Sequence, residues 1–266
     1  MVLPNGNLLS VTYDNKIIIW SIEDGTVKVE FQGHSDWVRD FVVIENKHLL
    51  SASADRTIKM WNINDGALEK TLTGHEGFVL ALKLLENGDL VSGSADSTIK
   101  VWNLNEGKVK KTLKGHKSYV WALVLLKNGD LASGSMDTTI KIWTVATGKI
   151  KRTIAAHTDS IYKMTMLDNG DLVSGSGDKT IKIWDVDNGT LKSTLVGHTD
   201  CIFALKMFDN GDLISGSVDG TIKIWDFENG TVKKSINVDA IVCSLELLSN
   251  GDLVCGTVDG QVKIFE

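Results

Sequence analysis

A single proline, Pro4, in 266 residues leaves every later segment able to donate its backbone N–H groups, so no strand downstream loses a ladder bond to a pyrrolidine ring. Cysteine is scarce too: Cys201, Cys243 and Cys255 are an odd count, lack metal-ligand spacing and fall in apolar strand-like runs. They read as buried, reduced thiols, which fits a cytoplasmic or nuclear protein and argues against a disulfide-stapled scaffold. Arginine occurs only at Arg39, Arg56 and Arg152, and the formal net charge is −6. Binding nucleic acid needs a clustered excess of cations, so that class is disfavoured. No apolar run approaches the length of a membrane span, and no basic segment leads into an apolar one at the N-terminus. Neither a membrane nor an export pathway is expected, and the cytoplasm is the expected location, with the nucleus as the alternative. The composition, 42% hydrophobic and 23% charged, marks no disordered tail. Residues 1–266 are expected to fold as a single domain.

What is present is a repeat of 41 residues. Tryptophan recurs at Trp20, Trp61, Trp102, Trp143, Trp184 and Trp225, with Phe265 in the seventh place one residue early. Aspartate keeps the same step at Asp14, Asp55, Asp96, Asp137, Asp178 and Asp219, followed by Asp259. Histidine follows at His34, His75, His116, His157 and His198, after glycine in four cases and after Ala156 in one. Within each period short apolar runs alternate with Gly, Asn and Asp, the signature of half-buried strands and turns. One unit reads as strand a from Phe78 to Leu84, b from Leu90 to Ser94, c from Thr98 to Asn103 and d from Val109 to Leu113. Four short antiparallel strands per period describe a propeller blade.

The runs Gly74-His75 and Ser92-Gly93-Ser94-Ala95-Asp96-Ser97-Thr98-Ile99-Lys100-Val101-Trp102, with their copies, resemble the WD-repeat family over essentially the whole chain. Trp-Asp itself stands only at Trp184-Asp185 and Trp225-Asp226, and Asn-Gly-Asp replaces the family's usual Ser-Pro-Asp-Gly between strands a and b. The resemblance implies an all-β fold, a seven-bladed propeller of four-stranded antiparallel blades with the first and last blades incomplete. It also implies a structural network joining His, a strand-b Ser, Asp and Trp in each blade: His34, Asp55 and Trp61; His75, Asp96 and Trp102; His116, Asp137 and Trp143; His157, Asp178 and Trp184; His198, Asp219 and Trp225. In the blade of His116 the serine is Ser133 or Ser135, which share a face and are not separated by parity.

Other readings of these residues are weaker. A Ser-His-Asp set invites a catalytic triad, but an active site needs one copy with a pocket and an oxyanion site, not five. No cofactor and no metal are expected; the acidic run at Asp185 lacks the later bidentate acid of a calcium loop. Asn188 and Asn229 stand in glycosylation sequons that should stay unmodified without export. His48, the one histidine outside the repeat, reads as a solvated turn residue. The lysines Lys59, Lys100, Lys141, Lys182, Lys223 and Lys263 read as a solvated edge.

By resemblance, partners bind on the face carrying the d–a and b–c loops. Three residues after each motif His stand Trp37, Phe78, Tyr119, Ser160 and Cys201; two later come Arg39, Leu80, Trp121, Tyr162 and Phe203; Met136 precedes a motif Asp. Trp37, Arg39, Phe78, Tyr119, Trp121, Met136, Tyr162 and Phe203 are the candidate partner contacts, since aromatics, Met and Arg anchor interface cores. The rim, Asp36, Glu76, Asp159 and Asp200 against Lys117, fits a protein or peptide with apolar anchors and basic flanks. A non-catalytic interaction scaffold is the expected function, ubiquitin or substrate recognition the alternative, and an enzyme a remote third. The closing segment from Leu248-Ser249-Asn250-Gly251-Asp252 to Phe265 is similar to the last blade of phospholipase-activating, ubiquitin-binding WD-repeat proteins. The cullin-adaptor signature, Trp-Asp followed two residues later by Arg, is replaced by Asp187 and Glu228. Counting strands gives seven b and c but six a and six d, 26 in all. The unpaired edges at this seam are templates for self-association.

Overall fold

Short apolar runs broken by Asn, Gly and Asp give strands alone. The computed structural model describes every residue except Pro4, Tyr13, Asp209, Asn210, Glu228, Ser249 and Glu266, and among the described residues it holds 26 strands and no helix. Pro4, Glu228 and Ser249, which the sequence analysis invoked, thus lie outside the described residues. The chain divides into two compact units, Met1–Leu123 and Val124–Glu266.

In the first unit, β1 (Leu8–Val11), β2 (Ile17–Trp20) and β3 (Val27–Phe31) form a three-stranded sheet. Two four-stranded sheets follow in chain order. They are β4 (Val38–Ile44), β5 (His48–Ser53), β6 (Ile58–Asn62) and β7 (Leu68–Leu72), then β8 (Val79–Leu84), β9 (Leu90–Ser94), β10 (Thr98–Asn103) and β11 (Lys108–Lys114). Strand β12 (Val120–Leu125) spans the unit boundary and heads a sheet with β13 (Leu131–Ser135), β14 (Thr139–Thr144) and β15 (Lys149–Ala155). The second unit continues with β16 (Ile161–Met166), β17 (Leu172–Ser176), β18 (Thr180–Asp185) and β19 (Thr190–Val196). After them come β20 (Ile202–Met207), β21 (Leu213–Ser217), β22 (Thr221–Asp226) and β23 (Thr231–Asn237). A three-stranded sheet of β24 (Val242–Leu247), β25 (Leu253–Thr257) and β26 (Val262–Phe265) closes the list of elements. These seven antiparallel sheets are the blades of a seven-bladed β-propeller, the first and last three-stranded and the rest four-stranded. Strand a of the third blade begins at Val79 rather than Phe78, and its strand d extends to Lys108–Lys114. In the first blade residues 1–3 make a stub of strand a: Val2 bridges to Leu8, and the Leu9 amide donates to the Met1 carbonyl at 2.9 Å.

The core lies between successive blades rather than inside any one of them. Leu9, Ile17, Ile19 and Phe31 of the first blade pack with Val38, Leu49 and Trp61 of the second. Leu50, Ile58 and Leu72 of the second meet Val79, Leu90 and Trp102 of the third. In the second unit, Val173, Ile181 and Leu195 meet Ile202, Leu213 and Trp225, and Ile214 and Ile222 meet Val242, Leu253 and Cys255. This explains strand b, whose Leu-Val-Ser-Gly-Ser type sequence is buried at every position on both faces. Small residues are required there because the next blade's strand a lies against them. A Cβ on Gly175 would stand 2.7 Å from Cγ2 of Ile202, and one on Gly216 would stand 2.4 Å from Cγ1 of Val242. The second blade holds Ala52 at this position, in one cluster with Val79.

Gly175→Ala is therefore expected to cost about 1–3 kcal/mol through overpacking. Ile202→Ala, which removes the Cγ2 methyl that the new Cβ would meet, should cost less in the Gly175→Ala background than in the parent, as melts of the four proteins would show. An equal cost in the two backgrounds would show that Ile202 does not set the limit.

Candidate functional site

In the four-stranded blades the motif residues converge on one buried hydroxyl. In the second blade, Nε1 of Trp61 donates to Oγ of Ser51 at 2.8 Å, Nε2 of His34 lies 2.7 Å from the same Oγ, and Nδ1 of His34 lies 2.7 Å from Oδ2 of Asp55. The third blade repeats this with Trp102, Ser92, His75 and Asp96 at 2.8, 2.7 and 2.7 Å. Trp184, Ser174, His157 and Asp178 follow at 2.9, 2.7 and 2.8 Å, and Trp225, Ser215, His198 and Asp219 at 2.8, 2.6 and 2.8 Å. In the blade of Trp143 the indole donates to Ser133, at 2.7 Å, while Ser135 accepts the Asp137 amide at 3.0 Å. The two serines of strand b thus have separate jobs: the first joins the network and the second holds the b–c turn. The other oxygen of each Asp accepts from a Thr amide and hydroxyl, as Thr57 does to Asp55 at 2.9 and 2.6 Å.

The indole can only donate, so the serine oxygen accepts from it, which leaves the serine hydroxyl to donate to Nε2 of the histidine or, at 3.4 and 3.5 Å from Ser133 and Ser174, to a strand-c carbonyl. At His157 and His198, where burial disfavours the charged ring, the shorter contact to Nε2 goes with a neutral imidazole whose proton on Nδ1 faces the carboxylate. Burial pushes the His157 and His198 pKa values below the ordinary 6.5, against the opposing pull of Asp178 and Asp219. Burial alone would raise Asp178 and Asp219, yet the Thr180 and Thr221 hydroxyls, the Thr158 and Thr199 amides and the neighbouring histidines bring both down to about 2. Asp55 and Asp96 are lowered for the same reasons. Ser51, Ser92, Ser174 and Ser215 have no exposure to solvent. A nucleophile sealed in this way, with its oxygen engaged by an indole, meets no substrate. Before the histidines, a Cβ on Gly33, Gly74 or Gly197 would stand 3.1, 3.2 and 3.1 Å from the indole rims of Trp61, Trp102 and Trp225, a tight fit that the blade of Ala156 accommodates.

Three sequence expectations need correction. His48 is not a solvated turn residue: it opens β5, is only partly exposed, and its Nδ1 lies 2.8 Å from Oε2 of Glu69, off the hydrogen-bond direction. The strand-c lysines are not a solvated edge. Lys59, Lys100, Lys141 and Lys223 reach across to hydroxyls of strand d at 3.0–3.1 Å, and Lys182 and Lys263 take backbone carbonyls of Ala156 and Val238. Of the three thiols only Cys255 is buried; Cys243 is exposed, and Cys201 is half-buried just ahead of β20. Burial and the adjacent Asp200 push the Cys201 thiol up, away from thiolate reactivity. Among the described residues no cluster of His, Cys, Asp and Glu could hold a metal ion.

The candidate partner contacts have a backbone cause that periodicity could not reveal. Strand a slips by one residue against strand b, so that Val38 faces Ser53 and Asp40 faces Ala52, leaving Arg39 as a bulge. The same slip leaves out Leu80, Tyr162 and Phe203. A bulge aims its side chain away from the ladder. In the first unit the Arg39 guanidinium stacks 4.8 Å from the Trp37 ring centre and 5.9 Å from that of Trp121. Trp37 is 53% exposed, and Phe78 and Tyr119 are exposed at the matching places of the next two blades. Leu80, by contrast, is buried. In the second unit Tyr162 and Phe203 pack edge to face, 4.8 Å apart, and Met136 is exposed. The rim acids are partly committed: Asp36, Asp159 and Asp200 accept the following backbone amides at 2.7, 2.6 and 2.7 Å.

Blades with these features define a repeat propeller, and the repeat itself is recognised. The chain belongs to the WD domain, G-beta repeat family, which matches residues 25–62, 66–103, 107–144, 148–185 and 189–226. The solved WD40 beta propeller domain of Doa1 is 32% identical, with a TM-score of 0.85, covering 98% of this chain and 88% of that one. No curated protein sequence matches.

His198→Ala should lower stability by on the order of 1–3 kcal/mol by orphaning Ser215 and Asp219, whereas His48→Ala should stay within about 0.5 kcal/mol. The pH dependence has a fixed sign. Because His157 and His198 have lowered folded-state values, their stabilisation is complete above the unfolded value of 6.5 and is lost as pH falls below it. The contribution of Asp178 and Asp219 persists to lower pH and drains away between 3.8 and about 2. Melting temperatures should therefore decline first below about pH 6.5, and a flat profile from pH 7.5 to 5 would contradict the neutral histidines.

Proposed function

We propose that this propeller is a non-catalytic protein-interaction module that grips its partner where strand a begins. The observation that carries this reading is the exposure of Trp37, Phe78 and Tyr119 at equivalent positions of successive blades, beside the bulged and stacked Arg39. Large apolar side chains left in water at a repeated position are the usual anchors of an interface. Arg39, stacked on Trp37 and Trp121, already has part of its conformational freedom spent before a partner arrives, which lowers the entropic cost of contact. Asp36 and Glu76 beside these anchors, with Asp159 and Asp200 in the matching loops of the second unit, favour a partner whose apolar groups are flanked by Lys or Arg. Catalysis has no support in the network, whose serines are sealed from solvent.

A second reading, recognition of ubiquitin, rests on the resemblance of the closing blade to ubiquitin-binding WD-repeat proteins. Titrating isotope-labelled ubiquitin with the propeller tests it directly. Shifts confined to one apolar patch, abolished by Trp37→Ala/Phe78→Ala, would support it; an unperturbed spectrum at millimolar propeller would dismiss it. For the general reading, proteins captured from a cell extract should be lost at least about ten-fold with the same double variant, because an anchor truncation costs about 1–3 kcal/mol. Retention of every captured protein by a double variant that melts like the parent would refute the contact surface.

A further inference from the structure

We propose that the bay between the first and second sheets, on the side of their a–b and c–d turns, binds a small organic cation that presents a guanidinium or primary ammonium group on a short alkyl stem. In later sheets a basic side chain from the last strand of one sheet caps the c–d turn of the next. Lys70 on β7 donates from Nζ to the Leu104 and Asn105 carbonyls at 2.7 and 2.9 Å. Two repeats on, Arg152 on β15 donates to the Asp187 and Asn188 carbonyls at 2.8 and 2.6 Å. One repeat before Lys70 the chain has Val29, and the turn it faces carries Ile63 and Asn64. The stem is in the same place, since a Cβ on the turn glycine would stand 3.1 Å from Cδ of Lys70 at Gly107 and 3.2 Å from Cγ1 of Val29 at Gly66. Val29 thus reaches the turn and ends without a charge to give it.

Where the cation would sit lies a cavity of about 360 Å³, floored by the buried Leu3, Ile19 and Ile63 and rimmed by Asn7, Asn46 and Asn64. That volume falls within the range of about 300 to 1,000 Å³ usual for small-ligand sites. The repeat supplies a reason why two of its carboxamides are uncommitted. In the third and fifth sheets the turn asparagine donates to the aspartate two residues on, Asn87 to Asp89 at 3.1 Å and Asn169 to Asp171 at 2.9 Å. The second sheet has His48 in place of that aspartate, and the first has Asn7. Among the described residues no hydrogen bond holds the side-chain amides of Asn7, Asn46 and Asn64. Their oxygens, with turn carbonyls of the kind that Lys70 and Arg152 engage, are acceptors, and guanidinium and ammonium groups carry only donors. Lys28 at the rim brings no unbalanced charge, because its Nζ lies 3.5 Å from Oδ2 of Asp24. The apolar floor suits the alkyl stem. The bay lies at the opposite ends of the strands from Trp37 and Phe78, so it is independent of the surface proposed above.

The probe is N-butylguanidinium, added to the whole chain and followed through the asparagine side-chain amide signals in ¹⁵N-correlated spectra. The signals of Asn7, Asn46 and Asn64 should shift saturably at low-millimolar probe, and the neutral isostere N-butylurea should bind at least about five-fold more weakly. Val29→Arg, which builds in the group that Arg152 supplies to the fifth sheet, should melt no lower than the parent and lose the shifts. Asn46→Asp, in an exposed turn, should tighten binding at least about three-fold by adding a carboxylate. No saturation at tens-of-millimolar probe, equal binding of the urea, or an affinity that Asn46→Asp leaves unchanged or weakens overturns the proposal. Shifts that persist in a folded Val29→Arg overturn it as well. An arginine-centred Gly-Ser peptide is the second arm: binding tighter than that of the free probe would assign the bay to a partner's side chain and overturn the small-molecule reading.

Discussion

A serine hydroxyl with no access to water, held between an indole N–H and an imidazole nitrogen, is the constraint around which each full blade is arranged. A buried hydroxyl without partners costs free energy, so where the serine is fully buried the tryptophan and the histidine accompany it. The histidine in turn needs an acceptor for its Nδ1 proton. That acceptor is the aspartate, whose second oxygen is already fixed by the threonine amide and hydroxyl two residues on. Closing that turn forces the intervening residue into the left-handed region: Arg56, Ser97, Thr138 and Lys179 have φ values of 72°, 66°, 69° and 72°. Side chains that ordinarily avoid this conformation hold it here because the Asp bonds on either side leave no alternative.

The last blade shows what happens when the constraint is lifted. No histidine lies in residues 238–241, Cys255 occupies the place of the network serine, and Phe265 occupies that of the tryptophan. Cys255 is wholly buried, and burial pushes its thiol up, so it behaves as a small apolar group in the place of a hydroxyl. The donor, the acceptor and the middle hydroxyl have been exchanged as a set, which avoids leaving any one of them unpaired. The first blade keeps only the inner pair, Trp20 donating to Ser10 at 2.7 Å, and its Asp14 lies largely in solvent.

Most of the architecture was legible in the sequence because its period is covalent: the spacing of Trp, Asp and His fixes the blade count, and Asn-Gly-Asp marks the a–b turn of the third to seventh blades. The strand total of 26 and the residues 1–3 stub followed from the same phase. What escaped was whatever depends on register between strands. Ser133 and Ser135 share parity, and only the depth of each against Trp143 and the turn separates them. The bulge that releases Arg39, Tyr162 and Phe203 leaves no local sequence mark, and it sends Leu80 into the core from the equivalent position. His48 was misread because its neighbour, Glu69, stands where the third blade has Lys110 opposite Asp89, with the acid now on strand d, a pairing visible only across the sheet.

The protonation state of the network histidines tests this account most directly. Imidazole ¹⁵N shifts of His157 and His198 at pH 7 should report neutral rings carrying the proton on Nδ1, with Nε2 accepting from Ser174 and Ser215. Rings that are charged at that pH, or that carry the proton on Nε2, would break the donor order running from indole through serine and histidine to aspartate, and with it the structural role assigned to all four residues.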